Sequence, residues 1–170
     1  MIPDLDTDEK LIARANVGDA AAFELLYHRY RDWVVSVAYR YTGDRDEALD
    51  VMQDTFAYLF GKFPGFRLTA RLTTFLYPVV KNRCVDHLRK RRPNVDVDEL
   101  ADVLPAPEQP GSTADVHRLL QHLPAQQREV VLLRFVDDLS LQQIAQALDV
   151  PLGTVKSRLH NALDALKRRA

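Results

Sequence analysis

Cysteine occurs once in this sequence, as Cys84, so no disulfide can form within the chain and a reducing compartment, the cytoplasm, is expected. No apolar run approaches the length of a membrane span. The opening residues are acidic rather than signal-like, so neither insertion nor secretion is expected. Charge of one sign is not in excess either. The 23 Lys and Arg stand against 24 Asp and Glu, which argues against a uniformly basic nucleic-acid coat. No internal repeat is evident. Metal-ligand spacing is missing: the five histidines are scattered, and His117 and His122 do not align on one helix face. Gly153-Thr154-Val155-Lys156-Ser157 holds residues of a phosphate loop at the wrong spacing, with no strand before it. Carboxylate pairs fall only on helix surfaces. No catalytic residue, metal or cofactor is expected.

What the sequence does have is an uneven distribution of charge. Its 170 residues suffice for one medium domain or two small ones. Lys and Arg outnumber Asp and Glu by 15 to 13 over residues 1–92 and by 8 to 5 over 116–170, whereas 93–115 carry six acids and no cation. That middle stretch also holds Pro93, Pro105, Pro107, Pro110 and Gly111, and apart from a possible short turn at Asp98–Leu104 it has no apolar period. It reads as a linker. Fully extended it reaches roughly 75 Å. That is enough to separate two modules by more than one helical turn of DNA, about 34–36 Å.

Before the linker, apolar spacing predicts four helices. Asp6–Ala15 opens the chain, Asn16-Val17-Gly18 turns, and Asp19 caps a long helix. Its stripe of Phe23, Leu26, Tyr27, Tyr30, Trp33, Val34, Val37 and Tyr41 reads as core, and Thr42-Gly43 ends it. Asp44 and Glu47 have capping-box spacing at the start of the third helix. Ala48, Leu49, Met52, Phe56, Leu59 and Phe60 face inward there. Asp46, Asp50, Gln53 and Asp54 share the other face, which is either simply solvated or a docking stripe for a basic partner helix. Spacing alone favours the solvated reading. Gly61–Thr69 is irregular, and Leu72–Arg92 is a helix ending in Arg89-Lys90-Arg91-Arg92, cations that suit both the helix dipole and phosphate. Pro78 should bend this helix unless it starts late. Asn82 and Arg83, beside the basic end, are residue types that hydrogen-bond base edges.

After the linker, Ala114–Leu123 and Ala125–Phe135 are two further predicted helices, joined at Leu123-Pro124. Ser140 is a good N-cap for Leu141, Ile144, Ala145 and Leu148, and Asp149-Val150-Pro151 breaks the pattern. A second helix buries Val155, Leu159, Ala162, Leu163 and Leu166 and shows Thr154, Lys156, Ser157, Arg158, His160 and Asn161. This is helix-turn-helix spacing, with the second helix as the reader. The expectation is an all-α chain of two small helical domains: 1–92, a flexible acidic Pro-rich linker 93–115, and 116–170. Two jobs remain open, a stand-alone DNA-binding regulator and a subunit that delivers a polymerase to DNA.

The C-terminal motifs Leu123-Pro124, Arg128-Glu129-Val130, Leu133-Arg134, Leu139-Ser140, Ile144-Ala145, Val150-Pro151 and Gly153–Leu159 closely resemble the C-terminal domain of bacterial extracytoplasmic-function (ECF) sigma factors. Independently, Ala22-Phe23, Leu26-Tyr27, Asp46-Glu47-Ala48, Asp50-Val51, Gln53–Phe56, Leu76-Tyr77, Asn82 and Asp86–Arg89 look like the N-terminal domain of that family. The resemblance implies a sigma factor that joins core RNA polymerase, reads −35 and −10 promoter elements and assists strand opening. The clamp helices of the largest polymerase subunit would dock on Asp46, Asp50, Gln53, Asp54 and Phe56, which reverses the solvated reading of that face. It implies −10 contacts from Phe66, Arg67, Phe75, Asn82, Arg83, Asp86 and Arg89, the loop Phe66–Arg71 capturing a flipped base. It implies −35 contacts from Arg134, Thr154, Lys156, Ser157, Arg158 and His160. An anti-sigma factor is an expected partner, and a further C-terminal regulatory extension is not expected. The alternative is a LuxR-type regulator working without polymerase. Departures from the family pattern are Phe75 for a common Trp, Leu68-Thr69-Ala70 in the capture loop, Pro78, Gln143 and Asn161.

Overall fold

The computed structural model describes residues 6–94 and 112–169, and every regular element in them is helical. The helices are α1 (Asp8–Asn16), α2 (Ala20–Thr42), α3 (Arg45–Phe60), α4 (Leu72–Arg91), α5 (Ser112–Gln121), α6 (Ala125–Phe135), α7 (Leu141–Leu148) and α8 (Leu152–Lys167). The predicted boundaries agree to within two residues. Most of the predicted linker, with the possible turn at Asp98–Leu104, lies outside the described residues.

Local chemistry sets the helix ends. The Asp19 carboxylate accepts from the Ala21 amide at 3.0 Å and opens α2. Gly43 closes it in the left-handed region, φ 67°, where a side chain would be strained. Asp44 accepts from the Glu47 amide at 3.0 Å and opens α3. Ser140 and Gln143 form a complete capping box on α7, so Gln at this position still serves the cap. Arg128 is 5 % exposed and donates to the carbonyls of Leu120, Gln121 and Leu123. A buried guanidinium thus satisfies the free carbonyls at the end of α5 and in the turn after it.

Helices α2, α3 and α4 enclose the N-terminal core, with α1 laid against α2. Leu26, Val34, Val37, Val51, Leu59, Leu72, Leu76 and Val80 are fully buried. Cys84 is also buried, and desolvation pushes its thiol up to about 12, so it stays neutral. Helix α4 starts at Leu72 and runs through Pro78 in its interior. The late start that would have spared the helix does not occur. The Thr74 carbonyl simply lacks its usual i+4 amide donor.

The core continues from one end of the chain to the other. Val130, Leu133, Leu139, Ile144, Ala147 and Val155 belong to the same apolar cluster as the buried residues of α1–α4, and α7 packs on α4. A second, smaller cluster of Leu120, Leu123, Val131 and Ala162 holds α5, α6 and α8 together. Leu76 belongs to the larger one and has no exposed surface. Leu76→Ala should destabilise the fold by about 2–5 kcal/mol, the range for buried leucine truncation, measured as a lowered urea midpoint.

Candidate nucleic-acid interface

Helices α7 and α8 meet across a tight turn. Asp149 adopts φ 53° and ends α7, and the Val150 amide donates to the Ala145 carbonyl at 3.1 Å. Pro151 then starts α8 without needing an amide of its own. Val155 and Ala162 are buried, which leaves Lys156, Ser157, His160 and Asn161 exposed and Thr154 and Arg158 half-buried. Ser157 donates its hydroxyl proton to the Gly153 carbonyl at 2.7 Å, which leaves its oxygen lone pairs open to an outside donor. Arg134 is half-buried and donates to the Leu139 carbonyl at 3.1 Å, bracing the entry to α7.

Helix α4 has two faces. Leu72, Leu76, Val80, Cys84 and Leu88 are buried, while Asn82, Asp86 and Arg89 are exposed and Phe75 and Val79 are half-buried. At the N-terminal end of that outer face lies an open pocket of about 510 Å³. Its walls include Tyr58, Phe66, Arg67, Phe75 and Asn82, with Gln146 reaching in from α7. The rings of Phe75 and Tyr58 stack at 6.4 Å, and Phe66 meets Phe75 edge-on at 5.0 Å. Lys62 and Arg83 place their cations 4.5 and 5.6 Å from the Tyr58 ring centroid. The expected base-capture residues therefore converge, but Phe66, 9 % exposed, is a wall of the pocket rather than a free stacking face. The loop that builds this wall is pinned from far away in sequence. Asn16 donates to the Phe66 carbonyl at 2.9 Å and accepts from the Gly65 and Phe66 amides at 2.7 and 3.0 Å.

Asp46, Asp50, Gln53 and Asp54 form an exposed stripe on α3. Phe56 is not part of it. At 3 % exposure it packs edge-on against Tyr27, ring centroids 4.9 Å apart, so it supports the stripe from within and cannot touch a docked helix. The Asp54 carboxylate meets His87 of α4 at 3.0 Å, and Glu47 meets Arg91 at 2.7 Å. The acidic stripe and the basic end of α4 are thereby tied to each other.

The two halves also meet through polar groups. Glu129 of α6 accepts from Tyr77 and Lys81, both at 2.7 Å, and Tyr41 lies within 3.0 Å of the same oxygen. Burial, reinforced by Glu129, raises both tyrosines well above their ordinary value, so they remain neutral donors. Asp137 accepts from the Trp33 indole at 2.9 Å and the Arg40 guanidinium at 2.7 Å. Sequence reasoning passed over Asn16, Tyr58, Lys62, Gln146, Glu129 and Asp137 as functional positions. Only a turn signal at Asn16 hinted at any of these roles.

The helix-turn-helix formed by α7 and α8 is an arrangement found in DNA-binding proteins, and α4 carries a second polar face beside an aromatic-walled pocket. The sigma-70 region 2 family model matches residues 26–93, and the sigma-70 region 4 model matches 113–166. The chain is 31% identical to the ECF RNA polymerase sigma-E factor of Escherichia coli (strain K12), across 96% of this chain and 94% of that one. It is 30% identical to the RNA polymerase sigma-H factor of Pseudomonas aeruginosa, with 96% and 93% covered. It is 28% identical to the ECF RNA polymerase sigma factor SigW of Bacillus subtilis, with 95% of each covered. Among solved structures, CnrH in complex with the cytosolic domain of CnrY superposes with a TM-score of 0.70 at 26% identity, covering 96% of both chains. The chain belongs to the ECF sigma factors of the sigma-70 family. It is an alternative sigma factor that directs transcription initiation, a DNA-binding initiation factor, and the matches lend no support to a LuxR-type regulator. Among the described residues no helix is long and apolar enough to cross a membrane.

The loop clamp is directly testable. Asn16→Ala removes three hydrogen bonds to the loop and should leave the Gly65 and Phe66 amides unprotected in hydrogen exchange. The expected destabilisation is about 1–3 kcal/mol.

Proposed function

We propose that residues 1–92 dock core RNA polymerase and engage the −10 element, that 93–115 link, and that 116–170 read the −35 element. The observation that carries this reading is an aromatic-walled pocket lined by Asn82 on α4, with Asp86 and Arg89 exposed one and two turns further along the helix. A flipped base needs stacking surface, and the strand it leaves needs cations. Phe75 and Tyr58 supply the first; Arg67, Arg83 and Arg89 supply the second. Phe66 contributes as the pocket wall. On α8, Lys156, Ser157, Arg158 and His160 face the major groove with Thr154 at the helix start, and Arg134 takes a phosphate.

The stripe Asp46, Asp50, Gln53 and Asp54 receives the clamp helices of the largest polymerase subunit, its acids matching a basic partner helix. The protein carries no catalytic residue and no cofactor; the polymerase supplies the chemistry. It acts in the cytoplasm, where polymerase and promoters are. CnrH is solved with the cytosolic domain of CnrY, and a protein partner of that kind, an anti-sigma factor, restrains this chain.

Reconstitution with purified core polymerase and a promoter library tests the whole reading; no stable complex and no specific initiation would sink it. Asp54→Arg should weaken core binding by tenfold or more, on the order of 1.4 kcal/mol, with helicity unchanged in circular dichroism. Unchanged affinity would remove the docking assignment. Lys156→Ala should lower −35-dependent initiation. If Lys156 contacts a base, sequence preference relaxes; if it contacts phosphate, all sequences weaken alike and the salt slope falls by about one.

A further inference from the structure

Helix α8 turns Val155 and Ala162 into the core, both with no exposed surface. The opposite side exposes Gly153, Lys156, Ser157, His160 and Asn161, with Asp164 half-buried further along. At about 3.6 residues per turn, Gly153, Ser157 and Asn161 fall in one row. Lys156 borders that row on one side and the half-buried Arg158 on the other. The row itself is short and uncharged, and the charges stand at its edges. Gly153 is not required by the protein's own packing, since a Cβ built there meets nothing within 4 Å. Glycine weakens a helix relative to alanine. What it gives here is an outer surface with no side chain to hold an approaching molecule off the first turn of α8.

Asn161 lies two turns beyond Gly153 in the same row. Its amide makes no hydrogen bond to the described residues. Ser157, by contrast, has given its proton to the Gly153 carbonyl at 2.7 Å, and Asp164 pairs with Arg168 at 3.3 Å. A carboxamide offers a donor and an acceptor side by side. In the major groove adenine alone presents the complementary pair, its N6 amino group and N7. Guanine shows two acceptors, cytosine an amino donor, and thymine an acceptor beside a methyl group. Any base but adenine therefore leaves one end of the Asn161 amide unpaired. The spacing points the same way. Ser157, His160, Asn161 and Asp164 follow one another at steps of three, one and three residues. A homeodomain's third helix presents its base contacts at the same steps, and the asparagine in third place there reads adenine.

We propose that Asn161 is a specificity-determining residue of α8 and takes an adenine of the −35 element through that base's N6 and N7 atoms. The proposal rests on the reading of α8 as the −35 helix. The choice of base at this one position belongs to Asn161 and not to the cations around it.

The test uses holoenzyme reconstituted from the full chain and core polymerase, on duplexes randomised across the −35 region. The wild-type protein should select adenine at one position. Asn161→Ala should lower discrimination at that position about tenfold and leave the other positions as they were. Asn161→Asp should move the preference there to cytosine, whose amino group a carboxylate accepts from. A chemical counterpart alters the DNA instead. Placed at that position, 7-deazaadenine deletes N7 and keeps the base-pairing edge. It should weaken the wild-type complex about tenfold and the Asn161→Ala complex not at all, which isolates the pair. An unchanged adenine preference in Asn161→Ala overturns the proposal. So does an Asn161→Ala variant that weakens every sequence alike, the mark of a phosphate contact, and so does equal loss from 7-deazaadenine in both proteins. Each of these results leaves α8 as the −35 helix. A holoenzyme that initiates but prefers no base anywhere in the −35 region overturns that reading, and the proposal with it.

Discussion

Helix α4 is buried along one face and open along the other, and most of the structure follows from that division. Leu72, Leu76, Val80, Cys84 and Leu88 recur at every fourth position and are buried in the N-terminal core. That row leaves Phe75, Val79, Asn82, Asp86 and Arg89 at helical spacing on the surface. Removing apolar surface from water contributes roughly 25 cal/mol per Å², so rotation of α4 by a single residue, which would bring Lys81 and Arg89 into the core in place of Val80 and Leu88, is disfavoured. The outer face therefore inherits its orientation from the core. The pocket at its start adds a wall from the loop pinned by Asn16 and a floor from the end of α3.

Charge is arranged to keep the working surfaces apart from their own counter-charges only in part. The acidic stripe of α3 is tied to the basic end of α4 through Asp54–His87 and Glu47–Arg91. Exposed pairs of this kind contribute little to stability, about 0–1 kcal/mol, and they are readily replaced by a partner's charges. The buried contacts at Glu129 and Asp137 behave differently. A buried ion pair adds little net stability, but losing one partner leaves the other uncompensated, so these contacts specify one docking of the C-terminal helices among many that apolar packing would tolerate.

The helical framework was legible in the sequence because its signals are local. Asp19, Asp44 and Ser140 cap as their spacing suggests, Gly43 stops α2, and Pro151 starts the reader helix. The exposed residues of α8 were legible for the same reason, since a 3.6-residue period assigns faces without knowledge of partners. Phe56 shows the same period at work: its spacing places the ring inward, and the packing of α2 on α3 agrees with that spacing against the docking contact that the resemblance implied.

By itself, then, the sequence determined the helices, the helix-turn-helix and the family, and it supplied candidate residues for DNA and polymerase, all from short-range pattern. Tertiary structure alone decided which of those residues share a surface. Asn16 reaches a loop fifty positions away, and Glu129 and Asp137 find donors on α2 and α4 across the linker. No periodicity encodes such pairs, because each partner is an ordinary polar residue within its own segment. Their roles exist only once the apolar core has brought the two halves together.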